Sequence, residues 1–307
     1  IKRDKLLKSL SVAHSIIERK NTLPILANVL MEVKNNTLSI VATDLDIIFR
    51  DEISELSIDQ EGSTTTSATV LYDLLRKIPS NIDISFNLQN ENKLKISAKN
   101  SKFNLLCLPV DNFPNFAEEI KSNPFQIEAS KLLTLLNKTK ISMSNDDTRH
   151  YLNGIFMHIT ASNKNSYLTG VATDTHRLSS SSLPVDDIKN FKPFILPKKT
   201  VFQLCNLLQD SNEKVELLTG ENKIQFKIGN SKIISKVIDG KFPEYEKVVP
   251  KSNNKILDVN VEDFINCIER VITVSIDRKE GVKVTLEKEN IQLFVNSSSS
   301  GEGKETM

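Results

Sequence analysis

Ala42-Thr43-Asp44 and Ala172-Thr173-Asp174 are the same tripeptide, placed 130 residues apart in a chain of 307 residues. Two further short matches lie at nearly the same offset, and they are Asn100-Ser101-Lys102 with Asn230-Ser231-Lys232 and Phe113-Pro114 with Phe242-Pro243. Solenoid repeats have much shorter periods, so each copy is expected to enclose a hydrophobic core of its own. The spacing predicts a chain built from repeated domains.

Each copy begins with a predicted amphipathic helix and continues with strand-like sequence. Apolar residues recur at three- and four-residue intervals in segments that start near residues 3, 129 and 261. Apolar and polar residues then alternate, as in residues 82–86, which is typical of a half-buried strand. A second helix is predicted after residues 67–69 in the first copy and from Pro197, a favoured first-turn residue, in the second. The pattern indicates an α+β fold with helices on one face of a sheet.

The repeat predicts domain boundaries at residues 1–122, 123–250 and 251–307. The third copy has one helix and two or three strands before residues 297–303, so on the repeat period roughly 60–75 residues are absent. Half a domain cannot bury its apolar faces. We therefore expect the third domain to be truncated, and the lack of an initiator methionine leads us to expect a different natural start.

The composition is that of a soluble globular protein, with 39% hydrophobic and 26% charged residues. No apolar run approaches the roughly 18 residues of a membrane helix, and the charged N-terminus does not resemble a signal peptide. Cys107, Cys205 and Cys267 lie far apart in apolar surroundings, which favours reduced core thiols over disulfides or zinc ligands. These features predict a cytoplasmic protein without a membrane partner.

Basic residues are concentrated in the predicted helices. Segments 1–20, 67–80, 129–144 and 197–209 carry net charges of +4, +1, +3 and +2, whereas the whole chain carries only +1. The corresponding helix of the third copy, residues 261–275, carries −2. Two explanations remain open: solvated helix faces, or one surface that faces a polyanion and contacts its phosphates without reading its sequence.

An enzymatic interpretation finds little support in the residues. Asp174 and His176 lie two apart with serines 179–182 beyond them, but no nucleophile elbow accompanies them. The four histidines include no pair at metal-ligand spacing, and the nine glycines form no phosphate-binding loop. We therefore expect no catalytic residues, no metal and no cofactor.

Five blocks of sequence follow one another along the chain: Asn21-Thr22-Leu23-Pro24-Ile25-Leu26, Ala42-Thr43-Asp44-Leu45-Asp46, Tyr151-Leu152-Asn153-Gly154, Val171-Ala172-Thr173-Asp174-Thr175-His176-Arg177-Leu178 and Asp239-Gly240-Lys241-Phe242-Pro243-Glu244-Tyr245. Together they closely resemble the bacterial DNA polymerase sliding clamp, the β subunit of DNA polymerase III. The resemblance extends in order from the first helix to about residue 296.

The resemblance implies three clamp-type domains with helices on one face of curved antiparallel sheets. It also implies a head-to-tail homodimer that closes as a ring around double-stranded DNA, with helices lining the hole and sheets forming the outer wall. Such a ring is a processivity factor without an active site. Its implied partners are the replicative DNA polymerase, a clamp loader ATPase and other proteins that carry a clamp-binding motif.

The resemblance also implies a hydrophobic peptide-binding pocket on the second domain and its junction with the third. Thr175 stands where the family usually has glycine and Lys247 where arginine is common, which restricts the backbone at the first position and removes a forked donor at the second. In the family the C-terminus supplies one wall of this pocket. The implied pocket residues are Leu152, Thr173, Thr175, His176, Arg177, Leu178, Pro243, Lys247 and Val248.

Two further sets of residues follow from the resemblance and the charge pattern. Phe103 and Leu105 are expected to meet Thr273 and Val274 of a partner subunit, although a strand phenylalanine can also be ordinary core. The basic residues expected to contact DNA, each of which could also be simply solvated, are Lys20, Arg76, Lys77, Lys138, Arg149, His150, Lys198 and Lys199. The alternative function is a non-enzymatic repeat-domain adaptor that binds proteins through its sheets and does not encircle DNA.

Overall fold

The computed structural model describes residues 1–18, 23–90, 92–116, 120, 122, 124–162, 165–185, 191–209, 211–276 and 280–307. They form two compact units, Ile1–Pro243 and Glu244–Met307. The first unit contains two copies of one arrangement, and the second contains the helix and three strands of a third copy.

The helices and strands follow the predicted order. The helices are α1 (Arg3–Ile16), α2 (Ala68–Lys77), α3 (Ala129–Thr139), α4 (Lys198–Leu208) and α5 (Val261–Val271). The strands of the first copy are β1 (Asn28–Lys34), β2 (Thr37–Thr43), β3 (Ile47–Ile53), β4 (Gly62–Ser67), β5 (Ile84–Asn90), β6 (Lys93–Ala98) and β7 (Ser101–Leu108). Those of the second copy are β8 (Phe125–Glu128), β9 (Gly154–Ser162), β10 (Asn165–Thr173), β11 (Leu178–Val185), β12 (Phe194–Pro197), β13 (Lys214–Thr219), β14 (Lys223–Ile228) and β15 (Ser231–Lys236). Those of the third are β16 (Lys283–Leu286), β17 (Ile291–Ser297) and β18 (Gly301–Thr306).

The predicted helix starts at residues 3, 129 and 261 are confirmed. The side chain of Ser67 caps α2 by accepting from the backbone N–H of Val70, and that of Asn260 caps α5 by accepting from the N–H groups of Glu262 and Asp263. Pro197 is the residue before α4 and ends β12, so the expectation that it opens the helix is wrong by one position.

One sheet runs through both copies of the first unit, in the strand order β5-β6-β7-β4-β1-β2-β3-β15-β14-β13-β8. The copies are joined where β3 pairs antiparallel with β15, with Phe49 opposite Ile233 and Ile48 opposite Ile234. The second copy adds a sheet in the order β11-β10-β9-β12, and the second unit has the sheet β16-β17-β18.

The helices of the first unit form one layer, because α2 contacts α1, α1 contacts α4, and α4 contacts α3. Successive residues of the joining strands face opposite sides of the sheet. Phe49 and Ile233 face the helices and belong to the main core, whereas Ile48 and Ile234 belong to a smaller apolar cluster on the opposite face. The α+β prediction with helices on one face of antiparallel sheets is confirmed.

Candidate functional site

The loop between β10 and β11 carries the expected peptide-binding residues and is held by its own side chains. Thr173 Oγ1 donates to the carbonyl oxygen of Arg177 at 2.8 Å and accepts from the backbone N–H of Thr175 at 3.1 Å. Thr175 has φ +79°, a left-handed conformation that β-branched residues rarely adopt. His176 and Arg177 are exposed at the tip of this loop.

Asp174 organises the same loop through both carboxylate oxygens. Oδ1 accepts from the backbone N–H groups of His176 and Arg177, each at 3.0 Å, and Oδ2 accepts from Arg177 Nε at 2.9 Å. Partial burial raises the pKa of Asp174, but the backbone and guanidinium donors of Arg177 and the backbone N–H of His176 outweigh it, so the pKa lies below its ordinary value. The ionised carboxylate of Asp174 therefore holds the loop in its conformation.

Two other segments border this loop. In the short 3-10 helix Asp147–Leu152, Arg149 forms an ion pair with Asp146 at 2.8 Å, and its Nη1 lies 3.5 Å from Thr175 Oγ1. His150 Nε2 lies 3.1 Å from the carbonyl oxygen of Asp239, which begins the segment leading to Pro243. The 3-10 helix therefore contacts both the loop and the segment that leads to Pro243.

Two apolar side chains of the neighbouring segments are buried. Leu152 is 1% exposed and Phe242 is 6% exposed, and the ring of Phe242 stacks on that of Phe156 with centroids 5.0 Å apart. Leu178 and Thr173 are half-buried at the start of β11 and the end of β10, and Pro243 is exposed. We name this surface the candidate peptide site; its members are Leu152, Thr173, Thr175, His176, Arg177, Leu178 and Pro243.

The two remaining pocket predictions lie in the second unit. Lys247 forms an ion pair with Glu244, and Val248 is 71% exposed. Their membership of the candidate peptide site stays a prediction.

The predicted DNA-contacting residues have different environments. Arg76, Lys77 and Lys138 are exposed on the helix layer, and the guanidinium of Arg76 lies over the ring of Tyr72 at 5.5 Å from its centroid. Lys138 also lines an open cleft of about 290 Å³ between α3 and β11, which includes no member of the candidate peptide site.

The remaining predicted DNA-contacting residues bond to other side chains, border the candidate peptide site or lie outside the described residues. Lys198 donates to Asn145, and Lys199 donates to both Asp44 and Glu18. Arg149 and His150 border the candidate peptide site, as described above. Lys20 lies outside the described residues.

The predicted subunit-contact residues lie beside strand edges. Phe103 and Leu105 on β7 are half-buried and pack against the main core. Thr273 is exposed and Val274 is half-buried in the turn that follows α5, and the carbonyl oxygen of Val274 accepts from Ser300 Oγ at 2.6 Å just before β18.

Comparison with known proteins assigns the chain to a family. Models of the N-terminal, central and C-terminal domains of the DNA polymerase III beta subunit match residues 1–117, 126–244 and 246–307. The beta sliding clamp of Caulobacter vibrioides is 36% identical over 99% of this chain and 82% of its own length. This chain belongs to the DNA polymerase III beta subunit family, the bacterial sliding clamps.

Solved structures agree with this assignment. A Caulobacter crescentus beta sliding clamp with bound polyethylene glycol superimposes with a TM-score of 0.94 and 35% identity, covering all of this chain and 82% of that one. The DnaN sliding clamp of Bartonella birtlesii bound to griselimycin gives a TM-score of 0.92 at 35% identity with the same coverage. The function is therefore that of a DNA sliding clamp, a processivity factor, and the adaptor alternative is not favoured.

Sequence reasoning missed two features of this sliding clamp. The first is the stacking of the Phe242 ring on that of Phe156, for which the repeated Phe-Pro dipeptide was the only indication in the sequence. The loop at Thr43 to Ile47 repeats the bonding of the loop at Thr173, and the doubled Ala-Thr-Asp was its signal. Within the described residues no group of three potential metal ligands occurs, and none of the helices there is long and apolar enough to cross a membrane.

Proposed function

We propose that two copies of this sliding clamp join head to tail into a ring around duplex DNA, with the α1–α4 layer facing the DNA. The observation that carries the proposal is the β3–β15 junction, which shows how one copy of the repeat continues the sheet of another. The helices stay on one side of the sheet across this junction, so the basic segments form one surface.

The internal junction supplies a template for the joint between subunits. By the repeat, β7 corresponds to β15 and β18 corresponds to β3. Among the described residues, β7 pairs with β6 and meets β4 only near its end, while β18 pairs with β17 alone. Each strand therefore offers backbone donors and acceptors that a second chain can pair with.

The template also predicts which residues face each other. Phe103 corresponds to Ile233, and Gly303 corresponds to Phe49, the residue opposite Ile233. A Cβ at Gly303 would lie 2.8 Å from the carbonyl oxygen of Val271 and 3.3 Å from a methyl group of Val274, so β18 passes close to the turn after α5, and an incoming Phe103 from another subunit would pack beside Val274. This supports a homodimer interface formed by Phe103 and Leu105 with Thr273 and Val274.

Contacts with DNA in this proposal are electrostatic and independent of sequence. Arg76, Lys77 and Lys138 present exposed cations on the helix layer, where they can approach phosphates. A closed ring cannot pass onto circular DNA without opening. The proposal therefore includes a clamp loader ATPase as a partner.

The candidate peptide site is proposed to receive the replicative DNA polymerase and other proteins through a short peptide. The half-buried Leu178 and the exposed Pro243 offer apolar surface to leucine or phenylalanine side chains, and the exposed Arg177 and His176 offer polar partners beside it.

Retention on DNA tests the ring. With a loader present, the protein is expected to stay on nicked circular plasmid and to be lost once the plasmid is linearised. Equal retention on linear and circular DNA would refute the ring proposal.

Sedimentation tests the subunit joint. Phe103→Ala and Thr273→Arg, on opposite sides of the proposed joint, should each shift the protein towards monomer. Leu88→Ala serves as the control, because Leu88 is 44% exposed on β5, away from the joint. A dimer that is equally stable in all three variants would contradict the proposed interface.

Calorimetry tests the peptide site. A peptide that is rich in glutamine at its start and in Leu and Phe at its end should bind at micromolar strength, and Arg177→Ala or Leu178→Ala should weaken it. Arg76→Ala, on the helix layer, is the matched control. Unchanged binding in both site variants would show that the peptide docks elsewhere.

A further inference from the structure

The loop at Thr43 and the loop at Thr173 have the same internal geometry. In the first, Thr43 Oγ1 donates to the carbonyl oxygen of Ile47 at 2.8 Å and accepts from the N–H of Leu45 at 3.0 Å. Asp44 Oδ1 accepts from the N–H groups of Asp46 and Ile47, and Leu45 has φ +79°, the same value as Thr175. The loops differ in the cation that reaches the second carboxylate oxygen.

In the first loop that cation comes from the other copy of the repeat. Lys199 Nζ, at the start of α4, donates to Asp44 Oδ2 at 2.5 Å and to Glu18 Oε1 at 3.1 Å. The Asp44 side chain is 6% exposed and that of Lys199 is 33% exposed. Desolvation lowers the pKa of Lys199, but the two carboxylates raise it above its ordinary value. The ammonium group is therefore charged and occupied.

A second polar side chain on the same face of α4 reaches the end of α1. Gln203 follows Lys199 by four residues, which places both on one side of the helix. Its Nε2 donates to the carbonyl oxygen of Ser15 at 3.0 Å and its Oε1 accepts from Ser15 Oγ at 2.5 Å, with only 6% of the residue exposed. Buried polar groups held in this way favour a single arrangement of the elements they join.

The sheet layer carries its own ties at the same junction. Lys236 Nζ forms an ion pair with Asp46 Oδ1 at 2.8 Å, and Ser231 Oγ donates to Asp51 Oδ1 at 2.6 Å. Both ties flank the β3–β15 pairing. The sheet alone could bend about this strand pair, whereas a second tie in the helix layer removes that freedom.

We propose that Lys199 and Gln203 are positioning residues that lock the second copy of the repeat against the first. They fix the angle between the α1–α2 and α3–α4 pairs, and hence the curvature of the DNA-facing layer. The consequence for ring closure rests on the proposed homodimer. In this role the charge of Lys199 serves Asp44 and Glu18 rather than DNA phosphates.

The second helix of the first copy, α2, lacks the equivalent side chains. The positions of α2 that correspond to Lys199 and Gln203, 130 residues earlier, are Thr69 and Asp73. Asp73 lies 3.8 Å from Arg76 of its own helix. Neither position of α2 carries a cation or an amide, so α2 lacks the two groups that form the lock.

Hydrogen exchange of the free protein tests the lock. Lys199→Met keeps the aliphatic stem and removes the charge, and should accelerate exchange of the paired β3 and β15 amides roughly tenfold. Lys199→Arg should restore protection. The matched control is Lys198→Met, the preceding residue of α4, which should leave this exchange unchanged. Unchanged protection in Lys199→Met, or acceleration spread evenly over the whole first unit, overturns the proposal.

Two further measurements separate positioning from DNA contact and from local stability. The slope of log DNA affinity against log salt should fall by about one unit in Lys138→Met, which removes an exposed cation of the helix layer, and stay at the wild-type value in Lys199→Met. Lys199→Met should also increase the monomer fraction in sedimentation, although Lys199 lies outside the proposed subunit joint. A reduced salt slope, or an unchanged monomer fraction, in Lys199→Met overturns the positioning role. A monomeric wild-type protein would instead refute the homodimer, and the exchange experiment would still decide on the lock.

Discussion

Thr175→Gly tests whether the candidate peptide site holds a strained backbone. Thr175 has φ +79°, and a residue with a side chain loses about 1–2 kcal/mol in that region. Glycine removes this cost but adds roughly 0.5–1 kcal/mol of backbone entropy to the unfolded chain. The lost contact between Thr175 Oγ1 and Arg149, at 3.5 Å, is too long to contribute much. We expect a net stabilisation of about 0.5–1 kcal/mol.

Leu45→Gly is the matched control, because Leu45 has the same φ in the equivalent loop. Leu45 is 41% exposed, so more than half of its surface is out of water. Fully burying a leucine contributes about 1.5–3 kcal/mol, and losing the buried part costs roughly 1 kcal/mol or more. This loss offsets the relief of strain, so Leu45→Gly should be neutral or destabilising.

Scanning calorimetry at pH 7 measures the difference on the transition of the first unit. For a unit of this size, 0.5–1 kcal/mol corresponds to a rise in Tm of about 1–4 °C. Thr175→Gly should show that rise and Leu45→Gly should not. A Thr175→Gly protein that melts below the wild type would refute the reasoning, because it would mean that the threonine side chain stabilises the loop more than its backbone strain destabilises it.

Three other expectations concern charge and packing. The pKa of Asp174 is depressed in the folded loop, so its carboxylate stabilises the loop at neutral pH, and this contribution is lost as the pH falls below about 4. Amide exchange at residues 175–177, corrected for intrinsic rates, should therefore be faster below pH 4 than above it. Equal protection of these amides at both pH values would contradict the expectation. Phe242→Ala should destabilise the first unit by roughly 3–5 kcal/mol, because Phe242 is 6% exposed and stacked on Phe156. Denaturant melts followed by circular dichroism measure this loss, and a value under 1 kcal/mol would contradict the burial of Phe242 against Phe156. Lys138→Ser should lower the salt slope of DNA binding by about one unit without changing stability, and an unaltered slope would remove Lys138 from the DNA-contacting set.

Much of the fold could be predicted from the local periodicity of apolar residues. The helices that begin at Arg3, Ala129 and Val261 follow directly from apolar residues spaced three and four apart, because a helix buries one stripe of its surface. The alternation in residues 82–86 likewise indicated β5, which begins at Ile84. By contrast, the strand Gly301–Thr306 has no apolar alternation, and its sequence gave no local signal.

Long-range pairing lay beyond the reach of such patterns. The pairing of β3 with β15 joins residues about 180 positions apart, and the sequence of neither strand identifies the strand with which it pairs. The same holds for Lys199, whose position in a basic helix suggested phosphate contact. Its half-buried pairing with Asp44 depends on how two copies of the repeat meet, which only the assembled structure shows.

One difference between the copies explains why a different cation reaches the carboxylate in each loop. In the second copy, Arg177 folds back onto Asp174 Oδ2, so the loop satisfies its own carboxylate. In the first copy the corresponding residue is Ile47, which is 2% exposed and packed in the core, so it supplies no cation. Asp44 is nearly buried and its free oxygen needs a donor, because an unpaired buried carboxylate is costly. Lys199 from α4 supplies that donor, so the first loop contacts the second copy of the repeat. The second loop satisfies its own carboxylate and leaves His176 and Arg177 exposed at its tip, where the proposed peptide would bind.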